Sequence, residues 1–61
     1  MVHYNISFDF TNPENLKDVN HMNLKDLTKE ESTAWMLGVM DDAINGRWLI
    51  SHFTITKTLQ S

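Results

Sequence analysis

Residues 2–10 alternate strictly between apolar and polar side chains, and this alternation constrains the fold more than any other feature of the sequence. The apolar members are Val2, Tyr4, Ile6, Phe8 and Phe10. A period of two residues, rich in aromatic and branched side chains, is typical of a β-strand with one buried and one solvated face. The rest of the chain must therefore provide a layer that covers the apolar face of this strand.

A helix with clear signals at both ends is predicted in the second half of the chain. Thr28 and Glu31 have the spacing of a capping box, in which each side chain accepts a hydrogen bond from the backbone N–H of the other residue. Gly46 provides the left-handed residue that commonly ends a helix. We therefore expect a helix that begins after Thr28 and ends at about Asn45.

The apolar side chains of this predicted helix cover a wide arc. At about 100° per residue they span roughly 200°, about twice the width that a helix packed on one small sheet requires. We expect the centre of the arc, around Met36, Met40 and Ala43, to lie against the sheet. The flanks then need cover from elsewhere, and they consist of Trp35, Val39, Leu37 and Ile44.

A second strand is predicted from Trp48 to about Leu59, because Phe53-Thr54-Ile55-Thr56 has a high strand preference. Uninterrupted alternation places Phe53 and Ile55 on one face and Trp48 and Ile50 on the other. No further patterned segment is available to cover the outer face. Trp48 and Ile50 are therefore expected to form an apolar outer patch.

The segment between the first strand and the helix shows no sustained period. Asn12-Pro13-Glu14 is typical of a turn or a helix start, and residues 15–27 are predicted to form an irregular connection. The two strands are then parallel if the helix makes a right-handed crossover, or antiparallel if the connection first returns the chain.

The predicted fold class is α+β, in the order strand, irregular connection, helix, strand, within a single small domain over residues 1–61. A two-stranded sheet has two open edges and is marginally stable alone. Pairing with a second copy would give four strands and a helix layer. We therefore predict a homodimer, or an obligate complex with another protein.

Size and composition narrow the class of protein. A chain of 61 residues buries only about 60% of the surface that its unfolded form exposes. It contains no cysteine, which excludes disulfide bonds and thiolate chemistry, and its net charge of -3 argues against a general nucleic-acid binder. The longest apolar run, residues 34–40, is far shorter than the about 20 residues of a membrane-spanning helix. We expect a cytoplasmic protein without membrane contact.

Acidic residues mark one face of the predicted helix as a candidate partner surface. Two acidic pairs flank the small residues Ala34 and Gly38, and this shape suits the close approach of a basic partner. Anions in the last helical turn are disfavoured by the helix dipole, so stability alone does not explain the second pair. The candidate partner-binding residues are Glu30, Glu31, Asp41, Asp42, Trp48 and Ile50.

The sequence contains no recognisable catalytic or phosphate-binding motif, so we expect no enzymatic activity and no cofactor. His3 and His52 fall on outer strand faces and could approach Asp9, but the histidines lack metal-ligand spacing and we expect no metal. The five basic residues are scattered, which leaves a dimeric nucleic-acid-binding regulator as the alternative function. They are Lys17, Lys25, Lys29, Arg47 and Lys57.

Three segments resemble those of small strand–helix–strand bacteriophage early proteins that inhibit or modulate a host enzyme. They are the aromatic strand Tyr4-Asn5-Ile6-Ser7-Phe8, the helix opening from Thr28 to Ala34, and the closing strand Phe53-Thr54-Ile55. The layout is also similar to that of the oxalocrotonate-type tautomerases, but their amino-terminal catalytic proline is replaced here by Val2. The resemblance implies a non-enzymatic protein that binds and modulates a protein partner, such as a host enzyme with a basic surface.

Overall fold

The computed structural model describes residues 1–59 and contains three strands and one helix. All neighbouring strands are antiparallel, and the strand order is β2-β1-β3. The α+β class predicted from the sequence is confirmed, whereas the predicted two-stranded sheet is wrong because a third strand is present. The elements are β1 (Val2–Asn12), β2 (Asn15–Leu27), α1 (Lys29–Ile44) and β3 (Leu49–Leu59).

The additional strand, β2, replaces the predicted irregular connection. A turn at Pro13 and Glu14 reverses the chain, and the Glu14 N–H donates to Asn12 Oδ1 at 2.9 Å. Met22 then pairs with Phe8, and Leu24 pairs with Ile6. Residues of low strand preference dominate this segment, and pairing along the whole length of β1 outweighs that preference.

Helix α1 begins and ends as the sequence predicts. The Thr28 N–H donates to Glu31 Oε1 at 2.9 Å, and the Glu31 N–H donates to Thr28 Oγ1 at 3.1 Å. Asn45 is the C-cap, and Gly46 follows with a φ of 70°. The capping box fixes the direction in which the chain leaves β2, so that α1 runs across one face of the sheet.

The core lies between α1 and the central strand, and its buried apolar residues are Ile6, Phe8, Leu27 and Val39. Ser32 is also buried, and its hydroxyl donates to the Lys29 carbonyl oxygen at 2.9 Å. The helix thus packs against the sheet through smaller side chains, those of Ser32 and Val39. The predicted contact centre at Met36 and Met40 is wrong, because their exposed fractions are 37% and 51%.

A bulge in β3 changes which residues face the helix. Ser7 pairs with Thr54 but Asp9 pairs with Ser51, so β3 contains one extra residue opposite Phe8. His52 lies in this bulge with a φ of 53°. An extra residue inverts the side-chain alternation on either side of it.

Trp48 and Ile50 therefore do not form the predicted outer patch. Ile50 pairs with Phe10 and packs against the core on the helix side of the sheet. Trp48 is half-buried, and its ring meets that of Phe10 edge to face with centroids 5.0 Å apart. The prediction of strict alternation from Trp48 to Leu59 is wrong, because the bulge at His52 inverts which side chains face the helix on its two sides.

Candidate functional site

Aromatic side chains from the sheet and the helix surround a small pocket beside the carboxyl-terminal half of α1. We call it the aromatic pocket. Trp35 and Asp42 reach it from α1, seven residues and about two helical turns apart, and therefore on the same face of the helix. The full lining is Phe8, Phe10, Met22, Trp35, Asp42, Trp48 and Ile50, and the volume is about 170 Å³.

The charge at the edge of this pocket comes from a compact cluster at the end of α1. The Arg47 Nε–H donates to Asp42 Oδ1 at 2.9 Å, and Arg47 Nη2 contacts Asp41 Oδ2. Hydrogen bonding to Asp42 and the charges of both carboxylates raise the pKa of Arg47. Arg47 explains why two aspartates are tolerated in the last helical turn, yet two carboxylates facing one guanidinium leave the cluster negative.

A second cavity, the apolar groove, lies on the other side of α1 next to the edge strand β3. Its volume is about 330 Å³, and none of the described side chains that line it is charged. The apolar surface continues beyond it onto Leu37 and Ile44, which are 57% and 77% exposed. The groove residues are Met36, Val39, Met40, Ala43, Ile50 and Phe53.

The sheet face opposite the helix is polar and contains a histidine–aspartate–histidine cluster. The His21 Nδ1–H donates to Asp9 Oδ1 at 2.7 Å, and His52 Nδ1 lies 3.1 Å from Asp9 Oδ2. The hydrogen bond from His21, followed by the charges of both histidines, lowers the pKa of Asp9. The three residues come from β2, β1 and β3, so the cluster connects all three strands.

The sequence suggested that His3 and His52 approach Asp9, and the structure places His21 and His52 there instead. His3 pairs with Thr58, toward the far end of β3. In the described part of the chain, no serine or threonine hydroxyl donates to the imidazole of His21 or His52. Among residues 1–59 there is likewise no group of three or more histidine, cysteine, aspartate or glutamate side chains arranged to hold a metal ion.

The predicted acidic surface is divided between the two ends of α1. Glu30 and Asp41 are separated by eleven residues, or about 16 Å along the helix axis. Glu31 is occupied by the capping box, where the Thr28 backbone N–H is the main cause of its lowered pKa. Of the six predicted site residues, the structure brings together Asp42, Trp48 and Ile50 around the aromatic pocket.

Phe10, Met22 and Trp35 also line the aromatic pocket and were not predicted as site residues. The spacing of Trp35 and Asp42, seven residues apart on one helix, was a usable signal. Met22 could not be placed without β2.

No helix in the described part of the chain is long and apolar enough to span a membrane. Comparison with protein-family models, with curated proteins and with solved structures finds no match.

Proposed function

We propose that this chain is a non-enzymatic binding protein that forms a homodimer and modulates a protein partner. The observation that carries the proposal is the apolar groove, which none of residues 1–59 covers and which lies beside the outer edge of β3, where these residues provide no further strand. The ionisable groups described above support binding rather than catalysis, because they are engaged in contacts that stabilise the fold. Glu31 caps α1, Asp41 and Asp42 pair with Arg47, and Asp9 contacts two histidines.

The exposed apolar area beside the groove is large enough to matter for association. Taking about 200 Å² for a fully exposed large side chain, the exposed fractions of six residues amount to roughly 600 Å² per protomer, at the upper end of patches on monomeric proteins. Two copies would together bury about 1,200 Å², the lower limit of a standard stable interface. The six residues are Met36, Leu37, Met40, Ile44, Phe53 and Ile55.

The two edges of the sheet differ in how well they resist pairing. The β2 edge carries charged side chains at Lys17, Asp18, Lys25 and Asp26, which are typical of a protected edge. In β3, which covers residues 49–59, the only lysine, arginine, aspartate or glutamate side chain is that of Lys57. Antiparallel pairing of β3 with β3 of a second copy obeys a two-fold axis and would join the two apolar grooves under one continuous sheet.

The partner is inferred from the surface that this dimer leaves free. The negative cluster at the end of α1 and the aromatic pocket lie on the side of the helix away from the groove, and they favour a partner with a basic surface. A host enzyme, as implied by the resemblance to bacteriophage early proteins, is one such partner. The geometry gives no support to the nucleic-acid alternative, because Arg47, one of its five basic residues, is bound to two carboxylates.

The proposal is tested by placing a charge in the apolar groove. Met40→Glu changes a side chain that is already half-exposed, so the isolated fold should be retained while the joined grooves become unfavourable. We expect light scattering to show a monomer for this variant. Leu16→Glu is the matched control, because Leu16 is 68% exposed on β2 and remote from the groove, and it should stay dimeric. A Met40→Glu variant with the mass of the wild-type dimer would contradict the proposed surface.

A further inference from the structure

The aromatic pocket has the chemistry of a site for a positively charged group. Both tryptophans of the chain line it, and the Trp48 ring is held edge to face against Phe10. The π-face of an indole attracts cations more strongly than any other side-chain ring. Trp35 is carried on α1, and Trp48, in the short connection between α1 and β3, is held in place by its contact with Phe10.

Two electrostatic features point to a cation in the same place. Asp42 lines the pocket, and its carboxylate remains 40% exposed beside the rings although its Oδ1 accepts a hydrogen bond from Arg47. Asp42 also belongs to the last turn of α1, where the aligned peptide dipoles of the helix give a partial negative charge. Arg47 already shows that a guanidinium binds on one side of this carboxylate.

The size of the pocket indicates what kind of cation fits. Its volume of about 170 Å³ is below the range of roughly 300–1,000 Å³ that is typical of sites for drug-sized molecules and cofactors. A single guanidinium or ammonium head group fits such a volume, whereas a nucleotide does not. A side chain presented by another protein therefore suits the pocket better than a large free ligand.

We propose that the aromatic pocket binds one basic side chain, arginine or lysine, of the protein partner. The inference rests on the proposed function and deepens it, because it states the chemistry by which the partner is recognised. Ile50 lines both the pocket and the apolar groove, but no other pocket residue lines the groove, so a dimer formed through β3 keeps both aromatic pockets accessible. A dimer would therefore present two equivalent cation sites.

The experiment is a titration of the full chain with the tripeptides Gly-Arg-Gly, Gly-Lys-Gly and Gly-norleucine-Gly, each with blocked termini and at constant ionic strength. The readout is the NMR signal of the indole N–H groups, since both tryptophans line the pocket. We expect the arginine or the lysine peptide to shift both signals saturably, and the neutral norleucine peptide to bind at least about fivefold more weakly. Equal binding of the neutral peptide, or no saturable shift with either basic peptide, would overturn the proposal.

Variants separate the pocket from general attraction to an acidic protein. Asp42→Asn keeps the shape of the side chain and should weaken binding of the basic peptide at least about fivefold. Glu30→Gln removes the same charge from the other end of α1 and should leave binding unchanged. Trp35→Leu, at a side chain that is 40% exposed, should also weaken binding without unfolding the chain. Equal effects of Asp42→Asn and Glu30→Gln would refute a specific site.

The titration also distinguishes this inference from the proposed function. If the basic peptides do not bind but the protein has the mass of a dimer, the proposed cation site is contradicted and the proposed dimer is not. If the protein is a monomer but still binds the basic peptide, the proposed dimer is contradicted and the proposed cation site is not. Choline serves as a further arm of the titration, and binding of choline in preference to both basic peptides would overturn the assignment to a partner side chain.

Discussion

Asp9 is the residue at which the three strands are connected on the polar face of the sheet. Its two carboxylate oxygens contact different strands, through His21 of β2 and His52 of β3. Because these contacts favour the charged carboxylate, the pKa of Asp9 falls below its ordinary value of 3.8. A lowered pKa in the folded state means that ionised Asp9 stabilises the fold above the unfolded pKa, and that this contribution is lost as pH falls through the folded pKa.

The two histidines should contribute unequally to the pKa of Asp9. The hydrogen bond from His21 is the main cause of the lowered value, so His21→Asn should raise the pKa of Asp9 more than His52→Asn does. Asparagine is chosen for both because it tolerates the positive φ at position 52. The measurement is a carbon-13 NMR titration of the Asp9 carboxyl group in each variant. An unchanged pKa in His21→Asn would contradict this account of the cluster.

The strand pairing of residues 1–59 has three register shifts, and two of them, both bulges, contain a residue with positive φ. Asp26 lies in the β2 bulge with a φ of 57°, and its N–H donates to Asn5 Oδ1 at 3.1 Å. His52 has the corresponding place in β3. Aspartate and histidine are among the non-glycine residues that adopt this conformation most readily, and branched residues are strongly disfavoured there.

Substitutions at His52 should separate backbone conformation from side-chain contacts. His52→Gly and His52→Val both remove the contact with Asp9, but valine is strained at positive φ and glycine is not. We expect His52→Val to be less stable than His52→Gly by about 1–2 kcal/mol, measured by urea denaturation. Equal stability of the two variants would show that the bulge does not require a left-handed residue at this position.

The sequence was sufficient to predict the elements whose signals are local. The alternation of residues 2–10 predicted β1, and the capping box with Gly46 predicted both ends of α1. Strand β2 was missed because its inward-facing positions include Asn20 as well as Met22 and Leu24, so its apolar period is too short to recognise. Its stability depends on pairing with β1, which is a tertiary interaction that no local pattern records.

The difference between local signals and tertiary interactions also explains which features of the site the sequence could predict. Asp42, Trp48 and Ile50 were selected as partner-binding residues, but on two separate surfaces. The bulge at His52 places Trp48 and Ile50 on the helix side, where they meet Asp42. A bulge shifts the alternation of inward and outward side chains by one residue. The sequence gives no sign of such a shift when the extra residue is a histidine rather than a glycine.

At the scale of the whole molecule, one helix covers part of one face of a three-stranded sheet. The described chain is a thin slab with principal extents of 44 × 19 × 11 Å. Four apolar residues are buried in it, while large apolar side chains remain exposed on α1 and β3. Small domains bury a low fraction of their surface, and association is a common way for them to gain stability.

In the proposed dimer, a second copy covers the apolar groove and the β3 edge. The direct measurement is sedimentation equilibrium of the wild-type chain over a dilution series around about 10 μM, because the stability of such a dimer depends on protomer concentration. We expect twice the chain mass of 7.1 kDa at the higher concentrations, with dissociation on dilution. A folded species of 7.1 kDa at every concentration would contradict it.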